Sequence, residues 1–232
     1  MAQYLVSGAN RGIGLEFVRQ LLGRGERVVA ACRHTARATE LNRLSGQFPG
    51  HLKILPLDVA EPRSIAGLVR EIDMLELRID VLINNAGVLT SGETFGEVDP
   101  KALGQAFATN AQGPFLLAQA LAPRLTDAAK VVAISSGLGS IERATRFGTP
   151  SYNISKAALN MAMRMLGHAL AERGIAVLAL SPGWVRTDMG GAGAELAVEQ
   201  SVSHMLAVID ALVFDVAKIG WFLDHNGERV PW

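Results

Sequence analysis

Short apolar runs alternating with helix-length segments constrain this chain more than any other feature. Tyr4–Ser7, Arg27–Cys32, Leu52–Leu57, Val81–Asn84, Lys130–Ser135 and Ala176–Ser181 read as strands buried on both faces, the pattern of a parallel sheet. Gly12–Arg24, Ala36–Phe48, Pro62–Leu75, Pro100–Leu125 and Ser151–Glu172 read as helices between them. Asp99-Pro100 reads as a cap followed by a first-turn proline. Beyond Gly190 the order weakens to a helix near Val198–Leu212 and a short last strand around Trp221–Leu223. This β-α-β-α alternation predicts an α/β doubly wound parallel sheet with helices on both faces. No repeat, low-complexity tract or linker interrupts the 232 residues, so one domain over 1–232 is expected.

Charge and cysteine usage narrow the function classes. Lys+Arg and Asp+Glu both number 22, which argues against a broad electrostatic footprint for nucleic acid or an anionic membrane. The single cysteine, Cys32, cannot form an internal disulfide. The chain enters Tyr4-Leu5-Val6 without a secretory leader pattern, and no apolar run is long enough for a bilayer. A soluble protein of the reducing cytoplasm is expected.

Gly8, Gly12 and Gly14 follow the first strand and open the first helix. Glycine lets backbone approach a pyrophosphate, and the helix amino terminus offers it unpaired N–H groups. In this strand–turn–helix setting, nucleotide binding outweighs a plain structural turn. An NAD-preferring site carries Asp or Glu at the end of the second strand; here Cys32 stands there, followed by Arg33 and His34. With no carboxylate to repel a 2′-phosphate, Arg33 can pair with it, and Arg11 can approach from the glycine loop. NADP(H) is the favoured cofactor.

Tyr152 and Lys156 are four residues apart, so they share a helix face. A nearby cation favours phenolate, which predicts a tyrosine pKa lowered towards working pH. Such a tyrosine can exchange a proton with a carbonyl or alcohol oxygen. Taken alone the spacing is as easily a surface pair. The buried strand Val131–Ile134 runs into Ser135 and Ser136, where a hydroxyl can stabilise a developing alkoxide. Asn110 lies inside a helix-like stretch, where asparagine often bonds its own backbone or bends the helix. Asp58 closes the third strand and serves either as a ligand to an adenine amino group or as a cap.

The Gly-x-x-x-Gly-x-Gly spacing, the Asn84-Asn85-Ala86-Gly87 turn and Tyr152-x-x-x-Lys156 together resemble the short-chain dehydrogenase/reductase family in its compact branch. The resemblance covers essentially the whole chain and implies a Rossmann-type fold. It implies a catalytic set of Asn110, Ser136, Tyr152 and Lys156, with Asn110 holding a water in a proton relay. It implies a cofactor site of Gly8, Asn10, Arg11, Gly12, Ile13, Gly14, Arg33, Asp58, Val59, Asn85, Ala86, Gly87, Tyr152, Lys156, Pro182, Gly183, Val185 and Thr187. Two departures stand out: Ser7 replaces the usual threonine, and Gly137 to Pro150 is longer than usual. The longer interval leaves Ser135 and Ser136 both in contention for the catalytic serine. Asn10–Glu16, Gly183–Gly191 and the Phe222-Leu223…Pro231-Trp232 ending resemble the C-factor and sniffer subgroup of carbonyl reductases.

The expected activity is therefore NADPH-dependent reduction of an aldehyde or ketone to an alcohol, with a small-molecule substrate and no nucleic-acid or membrane partner. The alternative is an NADP(H)-sensing regulatory or developmental signalling protein with little turnover. A substrate loop at about 187–198, rich in glycine, reads as a short mobile lid. The family's habit implies a homodimer or homotetramer through the helices bearing Asn110 and Tyr152. Trp232 packs either on another subunit or on its own domain. The five histidines lack metal-ligand spacing, so no metal is expected.

Overall fold

The computed structural model describes residues 1–232 and forms one seven-stranded sheet. β1 (Gln3–Ser7), β2 (Arg27–Cys32), β3 (Leu52–Pro56), β4 (Ile79–Asn84), β5 (Leu125–Ile134), β6 (Ala176–Ser181) and β7 (Trp221–Asp224) stand in the order β3-β2-β1-β4-β5-β6-β7. Every neighbouring pair is parallel. Successive strand residues point to opposite faces, and this sorts the core into two layers. Leu5, Val29, Leu82, Val131 and Val177 pack with α3 (Pro62–Met74), α5 (Gly113–Leu121) and α6 (Pro150–Ala169). Val6, Val28, Ile83, Val132 and Leu178 pack with α1 (Gly12–Gly23), α2 (Thr39–Gln47) and α7 (Val198–Ala211). The apolar runs are continuous because helices cover both faces. The fold is the doubly wound Rossmann-type sheet that the alternation predicts.

Strand order reverses between β1 and β4, so a crevice opens beyond their carboxyl ends. The Gly8 loop and the Asn84–Gly87 turn both lead into it.

Two element boundaries depart from expectation. The long helix over Pro100–Leu125 divides into α4 (Pro100–Phe107), a wider π-turn over Ala108–Gln112, and α5. Pro114 is the cause: it has no N–H for the carbonyl of Asn110, and its ring would press on that carbonyl in a regular helix. β5 begins at Leu125 rather than Lys130, with an irregular start where Ala128 takes φ 60° and the β4 pairing shifts register. Trp232 docks on its own chain, its ring 5.9 Å from that of Phe222. No helix is long and apolar enough to cross a membrane.

Candidate active site

α6 carries its polar residues inward. Ser151, Tyr152, Ser155, Lys156 and Asn160 are all buried, on a helix held against the end of β5 and the π-turn. Such a face is stable only if each polar group has a partner, and the partners build the site. Lys156 Nζ donates to the carbonyl oxygen of Ile134 at 2.7 Å and lies 5.5 Å from the centre of the Tyr152 ring. Ser155 Oγ donates to the carbonyl of Tyr152 at 2.7 Å and accepts from Asn110 Nδ2 at 2.9 Å.

The electrostatics run opposite to the sequence expectation. Burial pushes the Tyr152 phenol up to about 12, with only the Ser136 hydroxyl pulling the other way. Burial also holds the Lys156 ammonium down, to about 8. Desolvation disfavours both charged forms. The ammonium directs a proton at the Ile134 carbonyl, and its attraction for a phenolate does not overcome the burial of the phenol.

The two adjacent serines have different surroundings. Ser135 is buried, donates from Oγ to Asn160 Oδ1 at 2.6 Å, and gives its N–H to Leu180. Ser136 is half-buried, and its Oγ accepts from Leu138 N at 3.1 Å, which leaves its O–H to donate to the Tyr152 phenol. Ser140, further on, donates to the Trp232 carbonyl.

Asn110 is fully buried in the π-turn. Its amide clamps Val88, with Oδ1 accepting from Val88 N and Nδ2 donating to Val88 O, both at 2.8 Å. With Ser155 as third partner, both Nδ2 protons and Oδ1 are paired within the protein. A Cβ placed on Gly87 would lie 3.4 Å from Asn110 Oδ1 and 3.8 Å from Lys156 Nζ. Asn110, Gly87 and Lys156 are thus in one cluster.

On the other side of the crevice, Ser7 Oγ accepts from the N–H groups of Asn85 and Ala86 at 3.0 and 3.1 Å. Asn85 Nδ2 returns to the carbonyls of Ser7 and Gly8. Asn84 is buried with neither amide atom paired to protein. Gly8 takes φ +64° against Ala86, and a Cβ on Gly14 would sit 2.4 Å from the Gly8 carbonyl oxygen. Gly14→Ala is therefore expected to destabilise the protein by about 2–3 kcal/mol. Gly23→Ala, whose Cβ would meet nothing within 4 Å, should instead add up to about 1 kcal/mol. Urea unfolding of the two variants checks this; equal effects would show that the glycine loop is not tightly packed.

Gly12 faces Thr187, 3.5 Å from its would-be Cβ. Ile13 is half-buried against the α1 layer, and Asn10 is exposed. Arg11, expected at a 2′-phosphate, instead reaches across the crevice to Asp188 at 3.1 Å, both groups largely in solvent. Arg33 is exposed at the end of β2 and forms no ion pair. Asp58 Oδ1 accepts from Ala60 N, closing a turn ahead of α3, while Val59 behind it is buried. The Pro182 carbonyl accepts from Ser201 Oγ, Gly183 takes φ +78°, and Val185 is buried.

The loop expected to be a mobile lid is internally tied. Arg186 N and Leu196 N bond across its base, Trp184 Nε1 reaches Gly190 O, and Thr187 Oγ1 accepts from Gly190 N. Arg186 Nη1 adds bonds to the carbonyls of Ala194 and Glu195.

Three contributors escaped the sequence reading. Glu93 accepts from the N–H and the hydroxyl of Ser151, capping the first turn of α6 beside Tyr152. Its place in an irregular loop offered no periodic signal. Ser155 and Asn160 could have been found, since both are polar positions on the inward face set by Tyr152 and Lys156.

The residues present fit a phosphorylated dinucleotide. The amino terminus of α1 has no side-chain cap, so its first N–H groups face the crevice, which suits a pyrophosphate. The unpaired Arg33 guanidinium, with no acid at Cys32, suits a 2′-phosphate.

Comparison with known proteins agrees with this geometry. Residues 3–195 match the family model described as short chain dehydrogenase. The C-signal protein of Myxococcus xanthus is 42% identical over 156 residues, 66% of this chain and 93% of that protein. The carbonyl reductase Sniffer of D. melanogaster superposes with a TM-score of 0.94 at 32% identity, covering 100% of both chains. The NADPH-bound carbonyl reductase from chicken fatty liver gives 0.92 at 37% identity, over 100% of this chain and 99% of that one.

Proposed function

The chain belongs to the short-chain dehydrogenase family, and from that premise we propose that it is an NADPH-dependent reductase of aldehydes or ketones, reversible towards the alcohol. The observation that carries the proposal is the buried Tyr152–Lys156 pair beside Ser136, facing the crevice shared by Gly8 and Ala86. NADPH, when bound, supplies the hydride. Gly8, Gly12, Gly14 and the start of α1 would hold its pyrophosphate, and Arg33 and a released Arg11 its 2′-phosphate. Asp58 and Val59 would serve the adenine, Asn85 to Gly87 would line the cleft, and Pro182 to Thr187 would receive the nicotinamide.

The chain's own groups then handle the proton. Tyr152, neutral at working pH because burial raises its pKa to about 12, holds the proton at its phenolic oxygen and gives it to the carbonyl oxygen. Ser136 donates to the same oxygen and stabilises the alkoxide as it forms. Lys156 supplies a cation beside the phenolate left behind. Asn110 and Ser155 position the turn of α6 that bears Tyr152, and a proton relay leads from Lys156 past Asn110. For the assembly we propose a homodimer or homotetramer through α6, where Ile154, Met161 and Met165 form an exposed apolar stripe.

The test follows NADPH and NADH absorbance across aldehydes, ketones and diketones. NADPH should be preferred, and Arg33→Glu should raise its KM at least about tenfold while leaving NADH within about twofold. Turnover with NADH alone overturns the cofactor assignment. Tight NADPH binding with no carbonyl reduced favours a cofactor-sensing regulator.

A further inference from the structure

The segment between Ser136 and α6 is irregular yet held in place. Ser140, buried, donates to the Trp232 carbonyl oxygen at 3.2 Å and accepts from Arg143 N at 3.2 Å. Glu142 N donates to the same Trp232 oxygen at 2.8 Å, and Ala144 N bonds Ile141 O. Trp232 is itself fixed on Phe222. These bonds carry the Arg143 side chain back over the end of β5. Its Nη1 lies 4.0 Å from the Cβ position of Gly137, the residue after Ser136.

Arg143 is exposed and enters no ion pair, although Glu142 is its neighbour in sequence. Glu93, the acid at the start of α6, is committed to Ser151. Exposed Glu142 and Arg146 share the segment with this cation, and apolar side chains stand among them. Leu138, Ile141 and Phe147 are exposed on the same segment, and Phe95 meets Phe147 edge-on at 5.6 Å from the facing loop.

We propose that the substrate is an apolar carbonyl compound bearing a carboxylate, which Arg143 binds while the carbonyl oxygen lies at Ser136 and Tyr152. The inference rests on the reductase reading above and adds the chemical class of substrate. A guanidinium presents two parallel N–H donors that match a carboxylate, so the contact gives orientation as well as affinity. The apolar rim takes the body of the molecule, and the anion sets which way round it enters.

The experiment compares 4-oxo-4-phenylbutanoate with its methyl ester, using NADPH and the full chain. The acid should be favoured about tenfold in kcat/KM, the scale of one charge-assisted pair at a partly exposed site. Arg143→Gln should bring the ratio to within about twofold of unity by raising KM for the acid alone, with the ester unaffected. Arg143→Lys should restore part of the preference, and Arg146→Gln on the same segment should leave it intact. Added salt should compress the wild-type ratio. A wild-type ratio at or below one, or a preference that survives Arg143→Gln, overturns the proposal. Reduction of the ester but not the acid also overturns it, while leaving the reductase reading standing. If no carbonyl compound is reduced, the reductase reading fails and this inference falls with it.

Discussion

Tyr152→Phe is expected to lower kcat roughly 100- to 10,000-fold, the usual contribution of a positioned general acid. NADPH affinity should stay within a few-fold of wild type, because the glycine loop, Arg33 and the Pro182–Thr187 turn are untouched. Folding should also survive. The ring remains to fill its buried place on α6, and the phenol engages only the Ser136 hydroxyl. Removing a buried hydroxyl with so little satisfaction is close to neutral for stability. Steady-state rates, fluorescence titration of NADPH and a thermal melt together make the test. A variant that keeps a tenth of the wild-type kcat would remove Tyr152 from the chemistry. A variant that loses cofactor binding as well would give it a structural role instead.

Lys156→Met should separate activity from stability. The lysine is buried, and its pKa falls from 10.5 to about 8 through desolvation. Below pH 8 both folded and unfolded chains carry the proton, and the folded state bears a burial cost of about 3 kcal/mol by linkage. Between pH 8 and 10.5 the unfolded chain binds more protons than the folded one, so stability rises with pH in that window. Partly buried Lys130, also lowered by desolvation, acts in the same direction. Tyr152 acts oppositely at higher pH: its raised pKa contributes stability below pH 10 that is lost as pH climbs towards 12. Tyr4, also pushed up to about 12, and Cys32, raised by burial, act in the same sense as Tyr152, so the rise due to Lys156 is expected below pH 10 and not beyond it.

Lys156→Met removes the burial cost at the expense of the charged bond to Ile134, about 2 kcal/mol. The net expectation at pH 7 is a gain of about 1 kcal/mol, with most of the rise between pH 8 and 10 gone. Turnover should nonetheless fall at least about 100-fold, because no cation then opposes the Tyr152 phenolate. Urea unfolding across pH decides the first part. A wild-type profile flat from pH 8 to 10 would mean that the lysine is not buried as a charge.

Much of this molecule follows from local pattern. Apolar runs such as Val28–Cys32 and Val131–Ile134 determine strands covered on both faces, because side chains alternate and both sides must avoid water. The four-residue spacing of Tyr152 and Lys156 determines a shared helix face, and the glycines at 8, 12 and 14 determine where backbone comes close to backbone. Even the π-turn at Asn110 has a local cause in Pro114, although a helix pattern counted over Pro100–Leu125 passes over it.

Other features depend on groups far apart in the chain. Asn160 occupies the Ser135 hydroxyl and so separates two serines that are equivalent by position in sequence. Glu93 caps the helix of Tyr152 from 58 residues away, and Trp232 pins the segment that carries Arg143 from 92 residues beyond Ser140. The direction of the Tyr152 and Lys156 shifts was likewise decided by the tertiary structure. Spacing brings a cation near a phenol, but burial governs the energy of both charges, and burial is a property of everything packed around them. Periodicity and turn chemistry act within a few residues and are written in the sequence. Desolvation and long-range hydrogen bonds exist only once distant segments meet.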